Sequence, residues 1–505
     1  MSTTATPEPV ASDAALEEES ESGLKRGLGN RHLQMIAIGG AIGTGLFMGS
    51  GKTIHLAGPS ILLIYAIIGF FLYFVMRSMG EMLLSNLKYK SFRDIAEANL
   101  GPWAGFFSGW TYWVCWIVIG MADIAAVTSY VLWWFPECPQ FLPAVLLVIL
   151  LFVLNIVAVR LFGEIEFWFA LIKIIAIAAL VFIAVGMVII SFHSDLPTLI
   201  GNRASGATAD PEAVAAITAA YPDGANASFI HILNLDHGGW FPNGAMGFLA
   251  GFQIAFYAFV GIELVGTAAA ETMDPERSLP KAINAIPIRV GLFYILALAA
   301  IMSVTPYLAI DPAVSPFVNM FALTGLAVAA SVINFVVLTS AASSMNSGIY
   351  STSRMMFGLA GSGLAPKAFA KLSGNQVPAN ALIFSCICVL PGVILLYASG
   401  SIMDAFTYAT TAASVLFIFV WALIIFSYFS YRKNTPKLHE KSHYKMPWGV
   451  PMGWAVLVFF VAMIVILCLD PETAIATAVT PAWFLILFIA YMIRRSREKS
   501  SVAAR

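Results

Sequence analysis

Long apolar runs alternate with short polar connectors along almost the whole chain. They occur at roughly 33–54, 59–84, 103–135, 140–160, 163–191 and 244–268, and again at roughly 283–308, 319–358, 380–398, 402–431, 447–469 and 474–493. Each is too continuously apolar for a surface helix with a polar face. Each reaches or exceeds the length of about 20 residues that crosses a hydrocarbon core. The pattern predicts an all-α polytopic membrane protein with about twelve transmembrane helices. The polar stretch 192–243, with its Asp, Pro, Gly and Asn content, predicts an irregular external loop.

Two runs are interrupted from within. GGAIGTGLFMGSG (39–51) in the first and YAFVGIELVGT (257–267) in the sixth place glycines inside apolar sequence, where each costs about 1 kcal/mol relative to alanine in a helix. Isolated glycines of this kind serve close helix packing. Matching breaks at corresponding places in two five-span halves point instead to discontinuous helices in a 5+5 inverted repeat. Repeat one then covers about 33–191 and repeat two about 244–431, with spans eleven and twelve at about 447–493 outside the repeat.

Composition agrees with the pattern. Of 505 residues, 59% are apolar and 11% charged, against about 45–50% and about 25% in soluble globular proteins. The formal net charge of −1 offers no basic surface to nucleic acid. Placement of charge says more than its sum. With the N-terminus in the cytoplasm and one crossing per run, all of the 27 Lys and Arg residues but three fall on the cytosolic side; the exceptions are Lys52 and Arg203 outside and Lys173 within the fifth run. That asymmetry follows the positive-inside rule and predicts an even span count with both termini cytoplasmic in the cell membrane. Residues 1–23 lack a basic start and an apolar core, so they read as a disordered cytosolic tail rather than a signal peptide. Residues 24–495 form the membrane domain and 496–505 a second tail. Five cysteines, mostly inside apolar runs, predict neither a disulfide framework nor a zinc site. No nucleophile–base set, phosphate loop or metal spacing is visible, so neither an enzyme, a cofactor nor a metal is expected.

Unwinding at Gly39, Gly40, Gly43 and Gly45 around Thr44 would leave amide N–H groups that attract a carboxylate. Carbonyls of Tyr257, Ala258, Phe259 and Val260, ahead of Gly261, would accept from an ammonium, so the two breaks together suit a zwitterion. Tyr257 is either a packed aromatic or a gate. Three ionisable residues lie well inside spans, where a bare charge costs at least ~2.5–3.5 kcal/mol. Lys173 lies in ALIKIIAIAAL, about 15 Å of helix from its cytosolic start, and is the proton-coupling candidate because buried lysine readily changes protonation; the alternative is a snorkelling cation. Asp123 in GMADIAAV either orders helix packing or faces the cavity. Glu263 caps freed backbone, holds a proton or bonds the first span. In the eighth run Thr339, Ser340 and Ser343 either glue helices together or surround a cation, for which the Lys173 ammonium would serve.

The segments GGAIGTGLFMGSG, LAGPS (56–60), MRSMGEML (76–83), FVGIELVGTAAAETMDPERSLPKAIN (259–284) and NSGIYSTSRMMFGLA (346–360) resemble the amino acid transporter family of the amino acid, polyamine and organocation superfamily, over essentially all of 24–495. The resemblance implies a LeuT-like twelve-span bundle and amino acid/proton symport, with the proton as coupling ion and a small neutral amino acid as substrate. By motif, the carboxylate-binding backbone falls on Ile42, Gly43, Thr44 and Gly45, amino-group and side-chain contacts on Tyr257, Ala258 and Val260, and the lysine that stands in for a sodium ion on Lys173. Residues 100–126, 162–174 and 331–344 are similar to the branch that carries D-serine, D-alanine and glycine, while proline-type permeases are similar around GMAD and FGEIEFWF. Exchange without proton coupling stays open as an alternative, as does transport of L-proline or L-alanine. A membrane amino acid sensor is a remote one, because about a dozen C-terminal residues leave little room for signalling.

Overall fold

A computed structural model describes residues 42–89, 91–157, 159–196, 211–267, 274–374 and 376–503. The expected N-terminal tail, Gly39, Gly40 and Arg203 lie outside these residues. The described residues are predominantly helical. In order, α1 (Gly49–Ala57), preceded by the single turn Thr44–Phe47, leads to α2 (Ile61–Ser85), α3 (Pro102–Trp134), α4 (Phe141–Val157), α5 (Val159–Ile189) and α6 (Gly244–Tyr257). Then follow α7 (Leu296–Val304), α8 (Ala327–Gly361), α9 (Ala379–Val389), α10 (Ile402–Asn434), α11 (Gly449–Leu469) and α12 (Pro481–Ala503). Among the described residues nine helical segments are long and apolar enough to cross a membrane, and Phe141–Ile156 and Gly244–Tyr257 are shorter apolar helices.

Several boundaries differ from the hydropathy reading, each for a local reason. The run at 319–358 divides into a short helix, Pro316–Leu323, and α8, because Gly325 adopts φ +78° between them. Pro391 lacks the N–H that would continue α9, and a second segment, Pro391–Ala398, starts on it. The segment 192–243 is not wholly irregular. It holds a helix, Pro211–Ala220, and an antiparallel pair, β1 (His193–Ser194) with β2 (Ala225–Asn226), in which His193 lies opposite Asn226 and Ser194 opposite Ala225. Leu196, Ile217, Ala225, Ala309 and Leu323 form a small separate core beneath it.

The principal core runs through the bundle. Trp421 of α10 is fully buried, with Phe256, Phe417 and Phe460 at centroid distances of 5.4, 5.4 and 6.4 Å. Large apolar side chains also stand on the outer surface: Phe182 is 78%, Val328 81% and Ile394 70% exposed. A band of this kind is unfavourable against water and neutral against hydrocarbon, as expected of a multi-pass membrane protein.

At one end of α2 the segment between α10 and α11 is fastened beneath the bundle. The buried Glu81 carboxylate accepts from His439 Nδ1 (2.5 Å) and from the Met446 amide (2.7 Å). Arg77 stacks over the Tyr444 ring at 3.7 Å and donates to Asn284 Oδ1 (2.9 Å), which also accepts from the Tyr444 hydroxyl (3.1 Å). Burial pushes the Tyr444 phenol up to about 12, so it remains a donor at physiological pH. Removing an acceptor from a buried amide costs about 1–3 kcal/mol. Glu81→Ala should therefore loosen residues 435–448, seen as faster limited proteolysis there in detergent; an unchanged cleavage pattern would contradict the fastening role.

Candidate functional site

The helix break after α6 is a run of tight turns. The amides of Phe259 and Val260 bond the carbonyls of Phe256 and Tyr257, three residues back, before helix resumes at Leu264–Thr267. Gly261 takes φ +102° in this turn, a conformation that residues with a Cβ avoid. On the facing chain, Gly43 is extended (φ −118°, ψ −165°) and starts the turn Thr44–Phe47. Among the described residues no carbonyl accepts the amides of Gly43, Thr44 or Gly45.

The turn that starts at Thr44 and the break after α6 meet at Gly45. A methyl group there would lie 2.5 Å from Ala258 Cα and 2.9 Å from Tyr257 Cδ1, so the backbones touch because residue 45 has no side chain. Thr44 stands beside the contact. Its hydroxyl donates to Asp123 Oδ1 of α3 (2.8 Å) and lies 3.3 Å from the Tyr257 hydroxyl. Asp123 Oδ2 is buried with no hydrogen-bond partner, as is the hydroxyl of Tyr130, two turns further along α3. Ile42, Thr44, Gly45, Tyr257, Ala258 and Val260 are buried, and Gly43 is half-buried. The Tyr257 ring packs edge-on against Phe406 of α10 at 5.9 Å. Phe259 belongs to a different cluster, between Tyr65 (5.6 Å) and Tyr294 (5.1 Å).

The carbonyls after α6 are less available than the sequence suggests. Tyr257 O accepts from the Val260 amide, Ala258 O from the Tyr294 hydroxyl (2.8 Å) and Phe259 O from the Ile262 amide (3.4 Å). Each retains one lone pair at most for a ligand. Glu263, fully buried, turns back on the break: its carboxylate accepts from the Gly261 amide (3.0 Å) and from Tyr112 of α3 (3.4 Å). The geometry is that of a backbone cap.

A second polar group joins α5 to α8. Lys173, fully buried, donates to Ser343 Oγ (3.0 Å), and Ser343 donates to Glu166 Oε1 (2.7 Å). The three hydroxyls singled out in the eighth run separate here. Ser340 donates to Ile42 O (3.1 Å), tying α8 to the first break, and Thr339 bonds its own helix at Val336 O (2.8 Å). Glu166 was missed from sequence because α5 starts at Val159 rather than near 163, which places Glu166 two turns inside the helix. Its signal was the seven-residue spacing to Lys173, which puts both on one face. Asn155 of α4, donating to Asn346 Oδ1 (2.7 Å), was likewise not anticipated. Among the described residues no cluster of His, Cys, Asp or Glu is arranged to hold a metal ion.

Comparison with known proteins adds to this geometry. The chain is 57% identical over 483 residues, 96% of each sequence, to the D-serine/D-alanine/glycine transporter of Escherichia coli K12. It is 47% identical over 475 residues to the amino-acid permease AapA of Bacillus subtilis, 94% of this chain and 96% of that one. It is 37% identical over 480 residues to the aromatic amino acid transport protein AroP of Escherichia coli, 94% and 97% of the two chains. Residues 32–504 match the family described as amino acid permease. With the start of a helical turn at Thr44 and the break after α6 meeting at a buried polar centre, and relatives aligned along nearly its full length, the chain belongs to the amino acid permease family.

Proposed function

We propose that this protein is a proton symporter that imports D-alanine, D-serine and glycine across the cell membrane. It would do so as twelve spans in a 5+5 inverted repeat, with both termini cytoplasmic. The observation that carries the reading is the meeting of Gly45, at the start of the first described turn, with Ala258 in the break after α6, with Thr44 joined to both Asp123 and Tyr257. The 57% identity to a relative named for these three substrates supports the substrate class. The placement of basic residues supports the orientation.

The substrate carboxylate would lie on the amides of Gly43, Thr44 and Gly45, beside Ile42, because N–H groups at a helix start favour an anion. The carbonyls of Tyr257 and Ala258 already hold one bond each, so the ammonium would find its stronger partner in the open oxygen of Asp123, with Val260 lining the side-chain end. A charged acceptor roughly doubles the strength of such a bond. Tyr257 would close over the substrate, and the first and sixth spans would rock against the scaffold of the third, fourth, eighth and ninth. Lys173, protonated, would supply the cation between α5 and α8 that favours the substrate-binding arrangement; its proton would leave with the substrate on the cytosolic side.

Uptake into proteoliposomes with an imposed pH gradient tests the reading. Labelled glycine should accumulate, a protonophore should collapse the accumulation, and D-alanine and D-serine should compete more strongly than L-proline. Dominant competition by L-proline or an aromatic amino acid would overturn the substrate assignment. Counterflow without net uptake would identify an exchanger.

A further inference from the structure

Glu166 has no role in the mechanism above, yet its surroundings are those of a proton-carrying group. It shares a face of α5 with Lys173, about 10 Å apart along the axis, and a single hydroxyl spans the gap. Ser343 Oγ accepts from the Lys173 ammonium and donates to Glu166 Oε1. The Glu166 carboxylate also interacts with Ser347 and Asn346, one turn of α8 beyond Ser343. These polar groups continue the line from Lys173 toward the start of α5. The charged groups facing this line are Lys173 and Glu166 on α5 and, on α3, Asp123, which lies within electrostatic range of Lys173. Two buried carboxylates, Asp123 and Glu166, thus lie within electrostatic range of Lys173, the one buried lysine among the described residues. Because uncompensated charge in such a setting is costly, a proton moving between members of the set changes the charge at each end without changing the total.

We propose that Glu166 receives the coupling proton from Lys173 through Ser343 and delivers it toward the cytosolic side; this rests on the symport reading above. In the step, an N–H bond of the Lys173 ammonium breaks as its proton forms an O–H bond at Ser343 Oγ. The original Ser343 proton passes to Glu166 Oε1. An ammonium and a carboxylate become an amine and a carboxylic acid, and the serine is regenerated. When the α5 start opens to water, Glu166 gives up the proton and returns to carboxylate. A static ion pair is the competing arrangement, in which Ser343 only spaces two opposite charges. It predicts no specific effect on coupling.

The two are separated by the ratio of pH-driven glycine accumulation to glycine exchange at equal pH, measured in proteoliposomes of the full chain. Glu166→Gln and Ser343→Ala should each lower this ratio at least about tenfold, as is expected of Lys173→Ala. Ser343→Thr, which keeps the bridging hydroxyl, should stay within about twofold of wild type. Should Glu166→Gln fail to assemble, the Ser343 pair decides alone, because a serine hydroxyl carries no charge that the fold must balance. A wild-type ratio in Ser343→Ala, or equal losses of exchange and accumulation in Glu166→Gln, overturns the relay while leaving symport standing. A wild-type protein that accumulates nothing under the pH gradient overturns symport and the relay together.

Discussion

Lys173→Ala is expected to abolish concentrative uptake while leaving the protein able to reach the membrane. The side chain is fully buried and donates to Ser343, which in turn bonds Glu166. Deleting it removes the cation between α5 and α8 and leaves two carboxylates, Glu166 and Asp123, without their common positive neighbour. Breaking a buried ion pair from one side costs about 3–5 kcal/mol, enough to shift a two-state equilibrium by more than a hundredfold, since about 1.4 kcal/mol is tenfold. The transporter should therefore rest in one arrangement and no longer respond to a pH gradient. The measurement is accumulation of labelled glycine with and without an imposed gradient; gradient-driven accumulation at the wild-type level would remove Lys173 from the coupling mechanism. Lys173→Arg keeps the charge but replaces a compact ammonium with a wider, planar group that does not deprotonate in proteins. It should bind substrate and fail to cycle.

Gly45→Ala should eliminate transport by a different route. The added methyl meets Ala258 Cα at 2.5 Å and Ala258 N at 2.8 Å, and backbone cannot rotate aside as a side chain can. Overpacking ordinarily costs about 1–3 kcal/mol; here relief requires the two interrupted segments to separate, which also moves Thr44 away from Tyr257 and Asp123. Loss of uptake should be accompanied by lower thermal stability in detergent. Gly43→Ala is the informative comparison. A methyl there finds Ser344 Oγ at 3.8 Å, an ordinary contact, so stability should be nearly unchanged, and any loss of uptake would report on the local backbone rather than on helix separation. Equal behaviour of the two variants would contradict the close approach.

The sequence by itself determined the class of molecule and the position of the break after α6. Helices in hydrocarbon must satisfy their own backbone, so crossing segments appear as apolar runs legible one at a time, and a glycine inside such a run is conspicuous. Lys173, Asp123 and Glu263 were legible for the same reason: ionisable groups are rare where burial is expensive. Which atom each would meet was not legible. Asp123 pairs with Thr44 across 79 positions and Ser343 with Glu166 across 177, and no local periodicity carries information across such separations. The three hydroxyls at 339, 340 and 343 look alike in sequence, yet the bundle assigns one to its own helix, one to Ile42 and one to the Lys173–Glu166 pair. The carbonyls after α6 were expected to be open, and a tyrosine from a neighbouring segment, Tyr294, takes one of them. Glu166 was hidden by a helix start only a few residues from where hydropathy placed it. Local sequence governs whether a segment crosses and where it breaks, because backbone satisfaction and side-chain transfer are local costs. The partners of buried polar groups are decided by how whole helices pack, and only the tertiary structure contains that.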